Sequence, residues 1–107
     1  MSNLKEMNIE NTKHLYEKYP DLYREHHFPP SHTCMCWGFE CGDGWFKIID
    51  ELSEKLSRLS PDIVAVQVKE KYGGLRFYIG PCPVSVHEEV RKLISTAERK
   101  SIRTCEV

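Results

Sequence analysis

Several features that would narrow the function of this 107-residue chain are missing from its sequence. The charges nearly cancel, because 15 Lys and Arg residues stand against 16 Asp and Glu residues, so no overall field attracts nucleic acid or an anionic membrane. No apolar run approaches the roughly 20 residues of a membrane-spanning helix, and no hydrophobic signal core follows Met1. The sequence therefore predicts a cytoplasmic protein without a membrane partner.

Internal repeats and low-complexity tracts are also absent. A composition of 40% hydrophobic and 29% charged residues is that of an ordinary globular protein, and this length suffices for one hydrophobic core. We predict a single domain over residues 1–107. Residues 1–9 carry no strong pattern, so we expect them to be partly disordered.

A β-hairpin is the clearest structural pattern in the chain. Apolar residues alternate with polar ones on both sides of Gly73-Gly74, which is typical of two antiparallel strands joined by a tight turn. If these glycines form the turn, an apolar face carries Val64, Val66, Val68, Leu75, Phe77 and Ile79. The opposite face then carries Gln67, Lys69, Lys71, Arg76 and Tyr78, and Glu70 lies at the margin of the apolar one.

Three further segments have the apolar spacing of amphipathic helices. The first covers Asn8–Tyr19 and ends at Pro20. The second covers Trp45–Leu59, with Asp43 as its N-cap. The third covers Ser85–Ser101 and begins with a capping box in which Glu88 follows the Ser85 N-cap.

These elements together predict an α+β fold. Its sheet is a two-stranded antiparallel β-hairpin, which is packed against about three helices. Because two strands alone are marginally stable, we expect the helices to cover the apolar face, or a further strand to come from residues 30–42. The surrounding residues 20–44 have no sustained period and are predicted to be an irregular connection, with a short helix at Asp21–Glu25 as one option.

A group of cysteines in that connection is the sharpest candidate for a metal site. Cys34, Cys36 and Cys41 lie within eight residues, with His32 upstream, and zinc prefers four thiolate or imidazole ligands. Cys-x-Cys-x4-Cys nevertheless differs from the paired knuckles of most structural zinc sites. The alternative interpretation is that these are reduced thiols, which pack as small apolar residues in the core.

Catalysis by a thiol would require a base placed beside it. His27, His32 and His87 are available, but no local pattern pairs any of them with a cysteine. We therefore assign no catalytic and no cofactor-binding residues from the sequence.

The polar face of the predicted hairpin is a candidate for binding a partner. Lys69, Lys71 and Arg76 supply positive charge and Tyr78 supplies a ring for stacking, which are the groups that single-strand binders use. The alternative interpretation is a solvated sheet surface whose lysines discourage edge-to-edge association.

The chain also resembles a family of small uncharacterised phage and prophage proteins. The resemblance rests on GFECGDGW, VKEKYGGLRFY and the closing TCE. It implies no established activity, and it implies that relatives often continue past Cys105 into a zinc-ribbon-like tail of Cys-x-x-Cys pairs, whereas this chain ends at Val107.

The sequence thus favours a non-catalytic, phage-type accessory module that binds a protein or a nucleic acid. The alternative is a zinc-dependent or thiol-dependent enzyme centred on Cys34, Cys36 and Cys41.

Overall fold

The computed structural model describes residues 6–29, 31, 33, 35 and 38–105, and within them it shows an α+β fold with a three-stranded mixed sheet. The elements in chain order are α1 (Ile9–Lys18), β1 (Phe39–Glu40), α2 (Phe46–Leu59), β2 (Ala65–Lys71), β3 (Gly74–Ile79) and α3 (His87–Ile102). Short 3-10 turns at Asp43–Trp45 and Val84–Val86 lead into α2 and α3. Within the described ranges, no helix is both long and apolar enough to cross a membrane.

The sheet has the order β1-β2-β3, with the hairpin strands β2 and β3 antiparallel. The strand β1 pairs in parallel with β2 and sets Phe39 opposite Val68. The α+β class is therefore confirmed, and the sheet is larger than the predicted two strands because residues 30–42 supply the third strand that the sequence left open.

The hairpin turn lies one residue earlier than predicted. Lys71 pairs with Gly74, so the central residues are Tyr72 (φ 55°) and Gly73 (φ 80°), as a type I′ turn requires. Glu70 accepts a hydrogen bond from the Gly73 N–H at 2.8 Å, which stabilises the turn. Because the turn lies one residue earlier, each residue of β2 near the turn pairs with a β3 residue two positions before the predicted partner. Side chains two positions apart in a strand lie on the same face, so the predicted faces near the turn are preserved.

A β-bulge changes the faces at the other end of the hairpin. Ala65 pairs with Ile79 and Gln67 pairs with Tyr78, which leaves Val66 as the extra residue. Ala65 is consequently fully buried, whereas Val64 and Val66 are only half-buried. The prediction that Val64 and Val66 face the core was wrong because strict alternation cannot reveal a bulge.

The first helix is attached to the start of α2 by Asp43. Its Oδ1 accepts hydrogen bonds from the Asn8 N–H (2.8 Å) and the Asn11 side-chain amide (3.2 Å). Asp43 therefore does not act as the predicted N-cap of α2, whose capping position is Trp45. Met7 is buried and its N–H donates to Phe39 O. Residues 1–5 lie outside the described part, so the expected partial disorder of residues 1–9 stays a prediction.

The core lies between the inner face of the sheet and the helices. Its largest fully buried side chains include Trp45, Tyr23 and Phe39. The Trp45 indole N–H donates to the Thr104 carbonyl at 2.7 Å, and this bond fixes the end of α3 against the start of α2.

The predicted capping box at Ser85 does not form, because α3 begins at His87 and no side chain caps it. Residues 20–27 form consecutive turns, so the short helix at Asp21–Glu25 is absent.

Side chains of α3 also close the outer edge of β3. The Leu75 N–H donates to Ser101 Oγ at 2.8 Å, and the Phe77 N–H donates to Glu98 Oε2 at 3.1 Å. The Ser101 hydroxyl in turn donates to the Glu98 carbonyl. An exposed row of unpaired backbone groups favours aggregation, and α3 satisfies these two N–H groups.

Candidate functional site

Five polar side chains of the hairpin share the surface opposite the core, which we call the outer hairpin face. It consists of Gln67, Lys69, Lys71, Arg76 and Tyr78. The register pairs Lys69 with Arg76 and Gln67 with Tyr78, while the pairing of Val68 with Phe77 lies on the buried side. The predicted partner-binding residues are thus brought together on one surface.

The charges of this face are poorly compensated. Within the part of the chain that the structure describes, none of Lys69, Lys71 and Arg76 takes part in an ion pair. Glu40 is in register with Lys69, but its Oε1 lies 3.5 Å from the Gln67 amide nitrogen, which is the donor of this contact. Lys69 and Arg76 lie directly opposite each other, and like charges in such a cross-strand pair repel each other.

Exposed rings lie on the same face and at its tip. Tyr78 is 42% exposed beside the cations of the sheet. Tyr72 at the turn is 90% exposed, and Lys71 Nζ lies 5.5 Å from the centre of its ring. At a positive φ, tyrosine is less favourable than glycine by about 1–2 kcal/mol. The turn therefore carries an exposed ring at a position where glycine would be less strained.

A second group of cations, which was not among the predicted site residues, lies on the exposed side of α3 and at its C-cap. Arg91, Lys92, Arg99 and Arg103 are all exposed. The signal that would have found them is the distribution of charge along the chain. Residues 69–105 contain eight Lys or Arg against four Asp or Glu, whereas residues 6–68 contain six against eleven. The near-zero total therefore hides a strong separation of charge.

The cysteine cluster was the other predicted site. Cys41 is fully buried, while His32, Cys34 and Cys36 lie outside the described residues. Among the residues that are described, no group of three His, Cys, Asp or Glu side chains is placed to hold a metal ion. Zinc binding at Cys34, Cys36, Cys41 and His32 stays a prediction.

A groove of about 590 Å³ lies between the end of β3 and the start of α3, and it contains another thiol. Cys82, His87 and Arg91 are among its lining residues, with apolar side chains such as Val84 and Ile94. The His87 ring nitrogen Nε2 lies 2.8 Å from the Cys82 carbonyl oxygen. This contact holds the ring against the backbone, and it does not pair the imidazole with the thiol as a cysteine nucleophile requires.

No protein-family model, no curated protein and no solved structure matches this chain. The resemblance to small phage proteins therefore stays a prediction.

Proposed function

We propose that this protein is a non-catalytic, phage-type accessory module of the cytoplasm that binds nucleic acid through its outer hairpin face. The observation that carries the proposal is the cross-strand pair of Lys69 and Arg76, which has like charges and no ion-pair partner among the described residues. Such a pair costs stability in the free protein, and a bound phosphate relieves that cost.

The chemistry of the surrounding residues agrees with this partner. Lys71 and the two opposed cations provide positive charge for the phosphate backbone, and Tyr78 exposes a ring on which a base can stack. A surface that binds a protein more often has a larger apolar centre than this face has. The near-neutral total charge does not oppose the proposal, because the positive charge is concentrated in residues 69–105.

The proposal is tested by neutralising the opposed pair. We expect Lys69→Gln with Arg76→Gln to weaken binding of a labelled mixed-sequence oligonucleotide by tenfold or more in fluorescence anisotropy. The slope of log K against log salt should fall by about 1.4, since each phosphate contact on a single strand contributes about 0.7. The free energy of unfolding should stay the same or rise by roughly 0.5 kcal/mol, because the repulsion is removed.

The matched control is Lys13→Gln with Lys47→Gln, which removes the same charge from exposed positions on α1 and α2. This control should bind like the unmodified protein. If the unmodified protein does not bind the oligonucleotide, or if both double variants bind it equally well with the same salt slope, the proposal is wrong and a protein partner becomes the better hypothesis.

A further inference from the structure

The exposed side of α3 carries a row of cations that continues to the C-cap residue Arg103. Arg91, Ser95 and Arg99 follow one another at intervals of four residues in α3, so they form one stripe along the helix. Arg103 continues the same interval at the C-cap, where the backbone is still in the αR conformation. We call these four residues the basic stripe. Successive members are about 6 Å apart along the axis, and within the described residues none of its three arginines forms an ion pair.

The acidic residues of α3 do not cancel this stripe. Glu88 and Glu89 lie in the first turn, where they complement the positive end of the helix dipole. Glu98 is half-buried, and its carboxylate accepts the hydrogen bond from the Phe77 N–H. The later turns of the exposed side are therefore positively charged.

Contacts at the edge of β3 connect the stripe to the hairpin. Ser101 and Glu98 bond the backbone of β3 directly. Gly74, which pairs with Lys71 on the outer side of the sheet, faces Ile102, and a Cβ built at Gly74 would lie 3.6 Å from Ile102 Cγ1. Ile102 is 70% exposed, and it lies one helical turn from Arg99.

We propose that the basic stripe and the outer hairpin face form one continuous track for a single strand of nucleic acid. This inference rests on the proposed function and names the class of its ligand. The arginines of the stripe contact phosphates, and the bases stack on Tyr78 and Tyr72. Exposed rings favour a single strand over a duplex, because bases within a duplex are already stacked on one another.

The test of the stripe is Arg91→Gln with Arg99→Gln, compared with the same Lys13→Gln, Lys47→Gln control. We expect this variant to lose about tenfold in affinity for a single-stranded oligonucleotide, and its salt slope to fall by about 1.4. If the variant binds like the control while Lys69→Gln with Arg76→Gln still weakens binding, the track is wrong and the proposed function stands. If the unmodified protein binds no nucleic acid, both are wrong.

The preference for a single strand over a duplex is tested with variants of Tyr78 and with a duplex of the same sequence as the oligonucleotide. Tyr78→Ala should weaken single-strand binding by about tenfold without changing the salt slope, and Tyr78→Phe should restore most of the affinity because a ring remains. Binding of the duplex as tight as that of the single strand would overturn the assignment of a single strand. Equal binding of polyglutamate would overturn nucleic acid altogether.

Discussion

At the scale of single residues, His26 is held in an environment that disfavours its charge. Its ring stacks on Tyr16 with centroids 4.0 Å apart, and it lies edge-on to the ring of His27. Burial lowers the pKa of His26 below its usual value of 6.5, and the neighbouring charge of His27 lowers it further. The folded protein therefore binds a proton at this ring less readily than the unfolded chain does.

This lowered pKa predicts a dependence of stability on pH. The contribution of neutral His26 is fully present above pH 6.5 and is lost as the pH falls below 6.5 through the folded-state value. We expect urea titrations between pH 7.5 and pH 5 to show a decreasing free energy of unfolding. His26→Phe, which keeps a ring for Tyr16, should make that decrease smaller; an unchanged decrease would show that other groups cause it.

At the scale of elements, the hairpin turn distinguishes its two glycines. Gly73 has φ 80°, where only glycine is unstrained, although a Cβ there would meet no atom within 4 Å. Gly74 is a strand residue whose added Cβ would make only ordinary contacts, with Ile102 Cγ1 at 3.6 Å as the nearest atom. The two positions therefore differ in backbone conformation, and both have room for an added Cβ.

Alanine substitution at each glycine tests this assignment. Gly73→Ala should lower the free energy of unfolding by about 1 kcal/mol or more, because alanine is strained at this φ. Gly74→Ala should change it by less than about 0.5 kcal/mol. Urea unfolding measures both. Equal losses at the two positions would favour the turn that the sequence alone predicts, with Gly73-Gly74 at its centre.

A second element-level prediction concerns the attachment of α3 to β3. Ser101→Ala removes the acceptor of the buried Leu75 N–H, and an unsatisfied buried group costs about 1–3 kcal/mol. We expect a loss of stability in that range and faster hydrogen exchange at the Leu75 amide. Ser95→Ala on the exposed side of the same helix is the matched control and should be close to neutral. Equal effects of the two substitutions would mean that the bond contributes nothing.

At the scale of the whole molecule, charge is separated along the chain. The part that includes α1 and α2 is acidic, and the part from Lys69 onward is basic. A total of about −1 is therefore compatible with a positive field over one region. Because an anionic ligand senses the nearest charges within a Debye length of roughly 8 Å, the local excess matters more for binding than the total.

Much of this architecture could be predicted from the sequence, because periodic burial leaves a periodic pattern. The spacing of apolar residues located α1, α2 and the hairpin within a few positions. It could not locate the turn at Tyr72, because tyrosine disfavours a positive φ. It also could not locate the bulge at Val66, because no residue type marks that position. The role of Asp43 was missed because its partners, Asn8 and Asn11, are far away in sequence.

The candidate site was predictable only in part. Local alternation sufficed to group Lys69, Lys71, Arg76 and Tyr78, because all four belong to one hairpin. The proposed place of the basic stripe in this site depends on the packing of α3 beside β3, and that packing is a tertiary contact between residues more than 20 positions apart.

The bonds from Glu98 and Ser101 to β3 also restrict how any partner is recognised. Many domains capture a peptide by adding it as a further strand, which gains affinity from main-chain hydrogen bonds. The N–H groups of Leu75 and Phe77 that such a strand would use are already occupied by α3. A partner at this side of the molecule must therefore be recognised by side chains. Adding a strand to β3 would first require α3 to detach.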